Sequence, residues 1–517
     1  MLDFSRLKTP PDDGEVLVEP APAEWTAALR TNHARLRTAK VRVLDSTLAE
    51  WRSRTRERIL GRDDQPIVVI GHQPDFIHAG VWAKHVVARR FADAMNGLAT
   101  NLVVDSDSPR TTNLLVPAVR NDRSTICPVA CTDPPGGRAF EQILAVEKEG
   151  LERIGNDVRR CMGERFHDSM VPVFLDGLSR ASAARDWVDQ TTAGRRAVDS
   201  VLGVALDDRR VSGLWWTPLL RDVTANARRF VTSYNRALGE YRRANQVRGR
   251  QRPIPDLATN RDTCELPFWA YRRGEPRRRL FATLSDEQVL FLAGREPIGR
   301  FRLADAAIWD ELTSPLPSDA SWRVRPRALA LTLWARLFLA DLFIHGIGGA
   351  KYDRISDAII ADYYRLPPPD MACVSATVRL PLLHGDTTPR IIREMRHSIR
   401  DLQWNPQRHS PDDGSLAELK LRREQTVQRA VQLRERSPEN RAARRDAFEE
   451  IRRQNRALLA ARPDLLAARR DQLQRGLDEL AHNRVALDRE YFYALHSRTT
   501  LQRIGGALPS ERDFGLG

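Results

Sequence analysis

The clearest hydrophobic pattern along the chain is a short β-branched run, Ile67-Val68-Val69-Ile70, which stops at Gly71. Four apolar residues with no polar alternation read as a parallel strand buried on both faces. Beyond the turn, Trp82, Val86 and Phe91 recur at helical spacing, predicting a helix over 81–95. A second apolar run, Asn101-Leu102-Val103-Val104, then ends on Asp105-Ser106-Asp107-Ser108. Strand, helix and strand, with polar residues gathered at the strand ends, predict a βαβ unit of an open parallel sheet. Ligands of such sheets bind beyond the carboxyl ends of the strands.

The flanking patterns are different. A Pro-rich lead-in precedes a long Arg- and Leu-rich helical stretch over 24–60. Residues 139–245 read mostly as helices, with aromatic weight from Trp215, Trp216, Phe230 and Tyr234, and 252–257 (Arg-Pro-Ile-Pro-Asp-Leu) breaks them as a rigid connection. From 263 to 303 the spacing shortens into two hairpins, turning at Gly274-Glu275-Pro276 and Gly294-Arg295-Glu296-Pro297. The apolar stretch 328–347 contains Arg336 and Asp341, so it predicts a buried helix running into a strand rather than a membrane span. A Gly-rich turn, a helix over 355–364, the stop Leu366-Pro367-Pro368-Pro369 and a strand over 372–380 follow. Residues 415–496 are almost all Arg, Glu, Gln, Leu and Ala at helical period, broken at Ser437-Pro438 and Pro463, which predicts a helical hairpin or coiled coil.

Together these predict an α/β chain: a Rossmann-like parallel-sheet core with helical and antiparallel insertions and a C-terminal α-helical coiled coil. The expected segments are 1–60 (lead-in and helix), 61–135 (first part of the core), 136–260 (mostly helical insertion), 261–325 (antiparallel insertion), 326–410 (second part of the core) and 411–517 (coiled coil).

Composition narrows the function. A formal charge of +14 would suit nucleic acid. However, the basic residues are almost all arginine, the lysines being Lys8, Lys40, Lys84, Lys148, Lys351 and Lys420, and they are interleaved with acids. No basic stripe with interleaved aromatics stands out, so nucleic acid is not the expected partner and an anionic small molecule is. Five cysteines in 517 residues make no disulfide framework, and Cys127 with Cys131 lacks the further ligands of a zinc site, so structural thiols are expected. The start, Met1-Leu2-Asp3-Phe4-Ser5-Arg6, has neither the basic opening nor the apolar run of a signal peptide, and a cytoplasmic location is expected.

Candidate chemistry gathers at three strand ends. A strand ending in glycine before a helix presents backbone N–H groups to an anion. At the first such turn, Gly71, His72, Gln73 and Pro74 are joined by His78, Gly80 and Lys84, and the histidines can donate to phosphate or shuttle a proton. The plain alternative is a tight turn whose histidines satisfy local backbone. Asp105 and Asp107, two apart on a strand, would face one side together and bind Mg²⁺, hold an amine or act as a base; Asp107 capping a turn is the alternative. No His-Glu-x-x-His spacing supports pooling them with His72, His78 and His85 as a metal site. The third end carries Gly346, Gly348 and Gly349 before Lys351, Tyr352 and Asp353, where glycines admit close approach of an anion and Asp353 can instead serve the helix dipole. The aromatic strand Glu265-Leu266-Pro267-Phe268-Trp269-Ala270-Tyr271 reads as packing, or as one wall of the pocket.

His78-Ala79-Gly80 is similar to the first half of the His-x-Gly-His signature of class I adenylate-forming enzymes, with Val81 at the second histidine position. More broadly, the chain resembles the bacillithiol biosynthesis cysteine-adding enzyme family over 67–84, 101–107 and 343–380, the last including Val374-Ser375-Ala376-Thr377, and its C-terminal helical region matches in kind. The resemblance implies a Rossmann-like core related to nucleotidyl-transfer enzymes, a homodimer through the C-terminal helices, and a ligase that joins the carboxyl of cysteine to the amine of a glucosaminyl malate with ATP activation. By position, Gly71, His72, Gln73, Pro74, His78 and Gly80 would hold nucleotide or cysteine. Asp105 and Asp107 would bind or deprotonate an amine, and 346–352 would close the other side. His72 stands where the family has glutamine, and the family's acidic, histidine-containing run is reduced to Asp-Ser-Asp-Ser, so a divergent member with another amine substrate is expected. The alternatives are a non-catalytic coiled-coil scaffold on a degenerate core, and a synthetase-like RNA-directed protein.

Overall fold

The computed structural model describes residues 2–120, 123–133, 136–181, 184–249, 254–285, 287–410, 414 and 416–515, residue 120 in its backbone only. Of the connection expected at 252–257, Arg252 and Pro253 lie outside the described residues. Helix makes up 53% and strand 18% of the chain, which is mixed α/β. Two compact units form: Met1–Ala118 with Ile126–Leu380 and Arg489–Gly517, and Val119–Thr125 with Pro381–Asp488.

The first unit is built on a six-stranded sheet in the order Val16–Glu19, Met371–Ala376, Leu342–His345, Ile67–His72, Leu98–Val103, Asp207–Arg210. Five of these strands are parallel, and Val16–Glu19 pairs antiparallel with Met371–Ala376, Val16 opposite Ala376. The sheet is therefore mixed, with an edge strand in what reads as a Pro-rich lead-in. The opposite edge, Asp-Asp-Arg-Arg, has no apolar residue to announce it. An edge strand needs only one row of backbone partners, and its acids are held by arginines: Asp208 by Arg195 and Arg196, and Asp207 by Arg209 of the same strand. In the centre, Ile67 to Ile70 are buried on both faces, as the unbroken apolar run requires.

The single helix expected over 24–60 is two, Trp25–Arg37 and Leu48–Leu60, separated by a small ribbon, Arg42–Val43 with Ser46–Thr47. Thr47 and Glu50 form a reciprocal cap that starts the second helix afresh. That helix carries Arg52 and Arg56 to Asp341: Arg52 Nη2 donates at 2.6 Å and Arg56 Nη1 at 3.0 Å, while the Ile67 N–H donates to the same carboxylate at 2.8 Å. Burial works to raise the Asp341 pKa, but Arg52, His33 and Arg56 outweigh it and hold the carboxyl well below the ordinary range. This ion cluster fixes the start of the central strand against the segment before Leu342–His345.

A second, antiparallel sheet lies where hairpins are expected, in the order Glu296–Arg302, Gln288–Ala293, Arg278–Ser285, Thr263–Tyr271, Arg323–Pro326. The apolar stretch after it is a helix, Ala328–Trp334, a wider turn over Ala335–Leu339, and the strand Leu342–His345. Cys127, expected as a free thiol, is bonded to Cys161. The strand Arg123–Ala130, paired with Asn113–Arg120, and the helix Lys148–Met162 bring the two together across 34 residues, a proximity that cysteine spacing does not encode.

In the second unit Ala417–Arg436 and Arg441–Ala461 form a helical hairpin, and Pro389–Trp404 packs on Pro463–Ala486. Arg423 and Asn455 both donate to the Trp404 carbonyl, at 2.9 Å each, tying the hairpin to the end of Pro389–Trp404. The helical run ends at Ala486, and 489–515 belong to the first unit. There Tyr493 stacks on Trp82 at 5.8 Å and Phe514 packs on Phe91 at 4.8 Å, so these aromatics are core rather than the end of a helical arm.

Candidate functional site

At the carboxyl ends of the parallel strands the chain changes direction. From Ile67–His72 it passes through the helix Ala79–Ala94 to Leu98–Val103 on one side. From Leu342–His345, the neighbour on the other side, it passes through the helix Ile347–Tyr363 to Met371–Ala376. Strands whose connections diverge in this way leave an open crevice between them. A cavity of about 490 Å³ lies there, within the size range of small-molecule sites. Gly71, His72 and Gln73 line it from the first strand, Ser106 and Asp107 from the second, and Phe343, His345 and Gly349 from the third. The antiparallel sheet supplies the facing wall through Trp269, Arg277, Arg279 and Arg327, and Leu329 and Leu331 add an apolar flank.

The polar groups form two connected sets. Asp107 accepts from Arg277 Nη1 at 2.6 Å and from Gln73 Nε2 at 2.9 Å, which joins the two walls across the crevice. Arg277 and Arg327 each lie 4.8 Å from the Trp269 ring centroid, a separation at which a guanidinium is attracted to the ring. Arg327 Nη1 also donates to the buried Glu265 at 2.7 Å, and Arg279 approaches the same carboxylate at 3.5 Å. Three guanidinium groups thus face the cavity against two carboxylates, leaving net positive charge beside an aromatic face.

The second set is built on His345. Its Nε2 lies 3.1 Å from Asp353, which Arg336 Nη1 also holds, at 2.6 Å. Burial acts to raise the Asp353 pKa, but Arg336 and His345 outweigh it, and the carboxyl sits well below its usual range. An ionised Asp353 accepts a hydrogen bond from the His345 Nε2–H, so in the neutral ring Nδ1 is the acceptor. A Cβ at position 349 would lie 2.9 Å from that Nδ1, so Gly349 makes room for the imidazole. Its role is to clear the ring, not to carry an anion.

Several expected residues lie elsewhere. His78 caps the helix Ala79–Ala94, its Nδ1 accepting from the Gly80 N–H at 3.1 Å, and a Cβ on Gly80 would sit 2.6 Å from the Ala376 carbonyl oxygen. That glycine lets helix and strand touch, and neither residue lines the cavity. Lys84 is buried and donates to the Gly71 carbonyl at 3.0 Å instead of reaching a ligand. Asp105 does not share a side with Asp107. It is buried and takes Arg210 Nε at 2.7 Å and the Ser212 N–H at 2.9 Å. The strand ends at Val103, so strict alternation stops before these two carboxylates. Pro74 lines a neighbouring hollow of only about 30 Å³, together with Asp75 and Asn101. Gly346 and Gly348 face open space, Lys351 and Tyr352 are exposed, and Asp353 is the buried partner of His345 rather than a helix-end charge.

His72 and His78 do not titrate where a proton shuttle needs them. Burial, with Lys84 beside it, lowers His72 to about 3, and burial with Arg489 lowers His78 to about 4, so both rings are neutral near pH 7. His72 still borders the cavity, with Nδ1 3.1 Å from the Gln73 carbonyl. Sequence reading passed over Arg277, Arg279, Arg327 and His345. The available signals were the run Arg277-Arg278-Arg279 where a strand begins, whose first and third members point to one side, and a histidine closing an apolar strand before a Gly-rich turn.

Among the described residues no group of three or more His, Cys, Asp or Glu is placed to hold a metal ion, and no helix is long and apolar enough to cross a membrane. No known family model matches the chain, and no characterised protein matches it.

Proposed function

We propose that the chain is a ligase that joins the carboxyl of an amino acid of the cysteine type to the amine of a small sugar-derived substrate, using ATP, on a Rossmann-like core. The observation that carries this reading is the crevice at the diverging parallel strands, with three arginines around Trp269 facing the backbone turn at Gly71. The residues fit a nucleotide in kind: apolar and aromatic surface for a planar base, guanidinium groups for phosphates. Arg277, Arg279 and Arg327 would hold the anion, and ATP when bound would supply the driving force for activating a carboxyl group. His345, kept in one tautomer by Asp353, is the group in the crevice suited to take a proton from an attacking amine. Gln73 and Asp107 are placed to orient the polar end of a substrate. Asp105 has no part in this reading.

The test is thermal unfolding with and without ATP, followed by incubation with ATP, cysteine and glucosaminyl malate and mass spectrometry for the condensed product. ATP is expected to raise the unfolding temperature, and Trp269→Ala to weaken ATP binding about tenfold, since loss of the ring that would pack on the base and that orients Arg277 and Arg327 amounts to about 1–2 kcal/mol. Absence of both the ATP effect and any amide product across a set of amino acids and amino sugars would sink the proposal.

A further inference from the structure

A second large cavity, about 550 Å³, opens beside the edge strand Asp207–Arg210 and has no role in the site above. Five arginines line it: Arg58, Arg185, Arg209, Arg210 and Arg273. The acids that line it are Glu141, Asp186 and Asp208, and each is already engaged. Glu141 accepts from Arg325 Nε at 2.9 Å and from the Tyr271 hydroxyl at 2.6 Å. Asp208 holds Arg195 and Arg196, and Asp186 holds Arg210 at 2.8 Å. Arg195, Arg196 and Arg325 lie outside the lining, so Glu141 and Asp208 are neutralised from behind the wall.

The lining carries five guanidinium groups against three carboxylates, and Arg58, Arg185 and Arg209 have their partners, Asp310, Asp189 and Asp207, off the lining, as Glu141 and Asp208 have theirs. Arg273 has no carboxylate partner among the described residues. Its Nε donates to the Pro317 carbonyl at 2.9 Å and Nη2 approaches that of Leu316 at 3.4 Å, so the head group is held while Nη1 makes no hydrogen bond to a described residue. Such a guanidinium is pre-oriented for an incoming anion, which lowers the ordering cost of binding.

We infer that this cavity is a second ligand site, for a small polyanion bearing two or more phosphate or carboxylate groups, with Arg209 and Arg273 as its principal contacts. One anionic group cannot engage arginines spread around a space of this size; two or more can. The same turn supports both cavities, because Asp107 lines the first while Asp105 anchors Arg210 of the second. The inference does not depend on the ligase reading.

Isothermal titration of the full chain with pyrophosphate and with citrate tests it, at low and at high salt. At least one of the two is expected to bind, more weakly as salt rises. Arg209→Gln and Arg273→Gln are each expected to weaken that binding about tenfold, with unchanged circular dichroism melts, while Arg180→Gln, an exposed side chain at the end of the helix Val171–Arg180, leaves it unchanged. Binding of citrate alone assigns carboxylates, and binding of pyrophosphate alone assigns phosphates. No binding of either, or equal weakening by Arg180→Gln, overturns the site. ATP and pyrophosphate can each enter either cavity, so the variants assign the binding: weakening by Arg209→Gln and Arg273→Gln places it here whatever the ATP test gives, and binding that neither variant weakens overturns the site.

Discussion

Replacing Lys84 by methionine separates a structural lysine from a ligand-binding one. Lys84 is 4% exposed, and its ammonium group donates to the Gly71 carbonyl at 3.0 Å. Burial pushes its pKa down from 10.5 to about 8, with Cys373 acting weakly the other way. At about 1.4 kcal/mol per pH unit, that fall is a stability penalty of about 3 kcal/mol. The penalty is complete below pH about 8, where folded and unfolded chains both carry the proton. Between pH about 8 and 10.5 the unfolded chain binds the proton and the folded one does not, so the native protein gains stability as pH rises. Lys84→Met removes the penalty, and it also orphans the Gly71 carbonyl at a cost of about 1–3 kcal/mol. Near neutral pH the two effects nearly cancel or favour the variant slightly. Near pH about 10 most of the penalty has gone from the native protein, and the variant should be the less stable by about 1–2 kcal/mol. Urea unfolding of both proteins across this range measures the difference, in which other titrating groups cancel. A difference that stays constant with pH would refute the reasoning. Loss of the ATP effect in a stably folded variant would return Lys84 to the ligand.

Two further outcomes follow from the packing. Gly80→Ala places a methyl 2.6 Å from the Ala376 carbonyl oxygen, backbone that cannot swing aside; a loss of about 1–3 kcal/mol in urea unfolding is expected, and an unchanged midpoint would return Gly80 to the ligand-binding role. The C-terminal helices are proposed to pair two chains as a coiled coil, because Leu421, Val431 and Phe448 of the hairpin are exposed at 56%, 47% and 47%. Sedimentation equilibrium should then give twice the chain mass, falling toward one with Leu421→Glu and Phe448→Glu together. A monomer mass for the unaltered chain would dispose of the pairing.

The central strand, the helix after it, the second strand and the antiparallel hairpins were legible because period and burial agree there. Ile67 to Ile70 have no polar face to misdirect the reading, and Gly71 ends the run. The position of the crevice was legible for the same reason: polar residues collect where apolar strands stop. The two edge strands were not, since Val16–Glu19 sits among prolines and Asp207–Arg210 is wholly charged, and each is held by backbone pairing that composition does not record. Nor could spacing distinguish the residues of one turn. His78, Gly80, Lys84 and Asp105 look as chemical in sequence as Gln73 and Asp107, and only packing turns the first group inward to a helix cap, a close contact, a carbonyl and a buried arginine. The facing wall of arginines and Trp269 comes from a sheet nearly 200 residues farther along the chain. The local pattern determined where a ligand could enter; which charges meet it was decided by long-range contact, because charge is read across space and the hydrophobic period only along the chain.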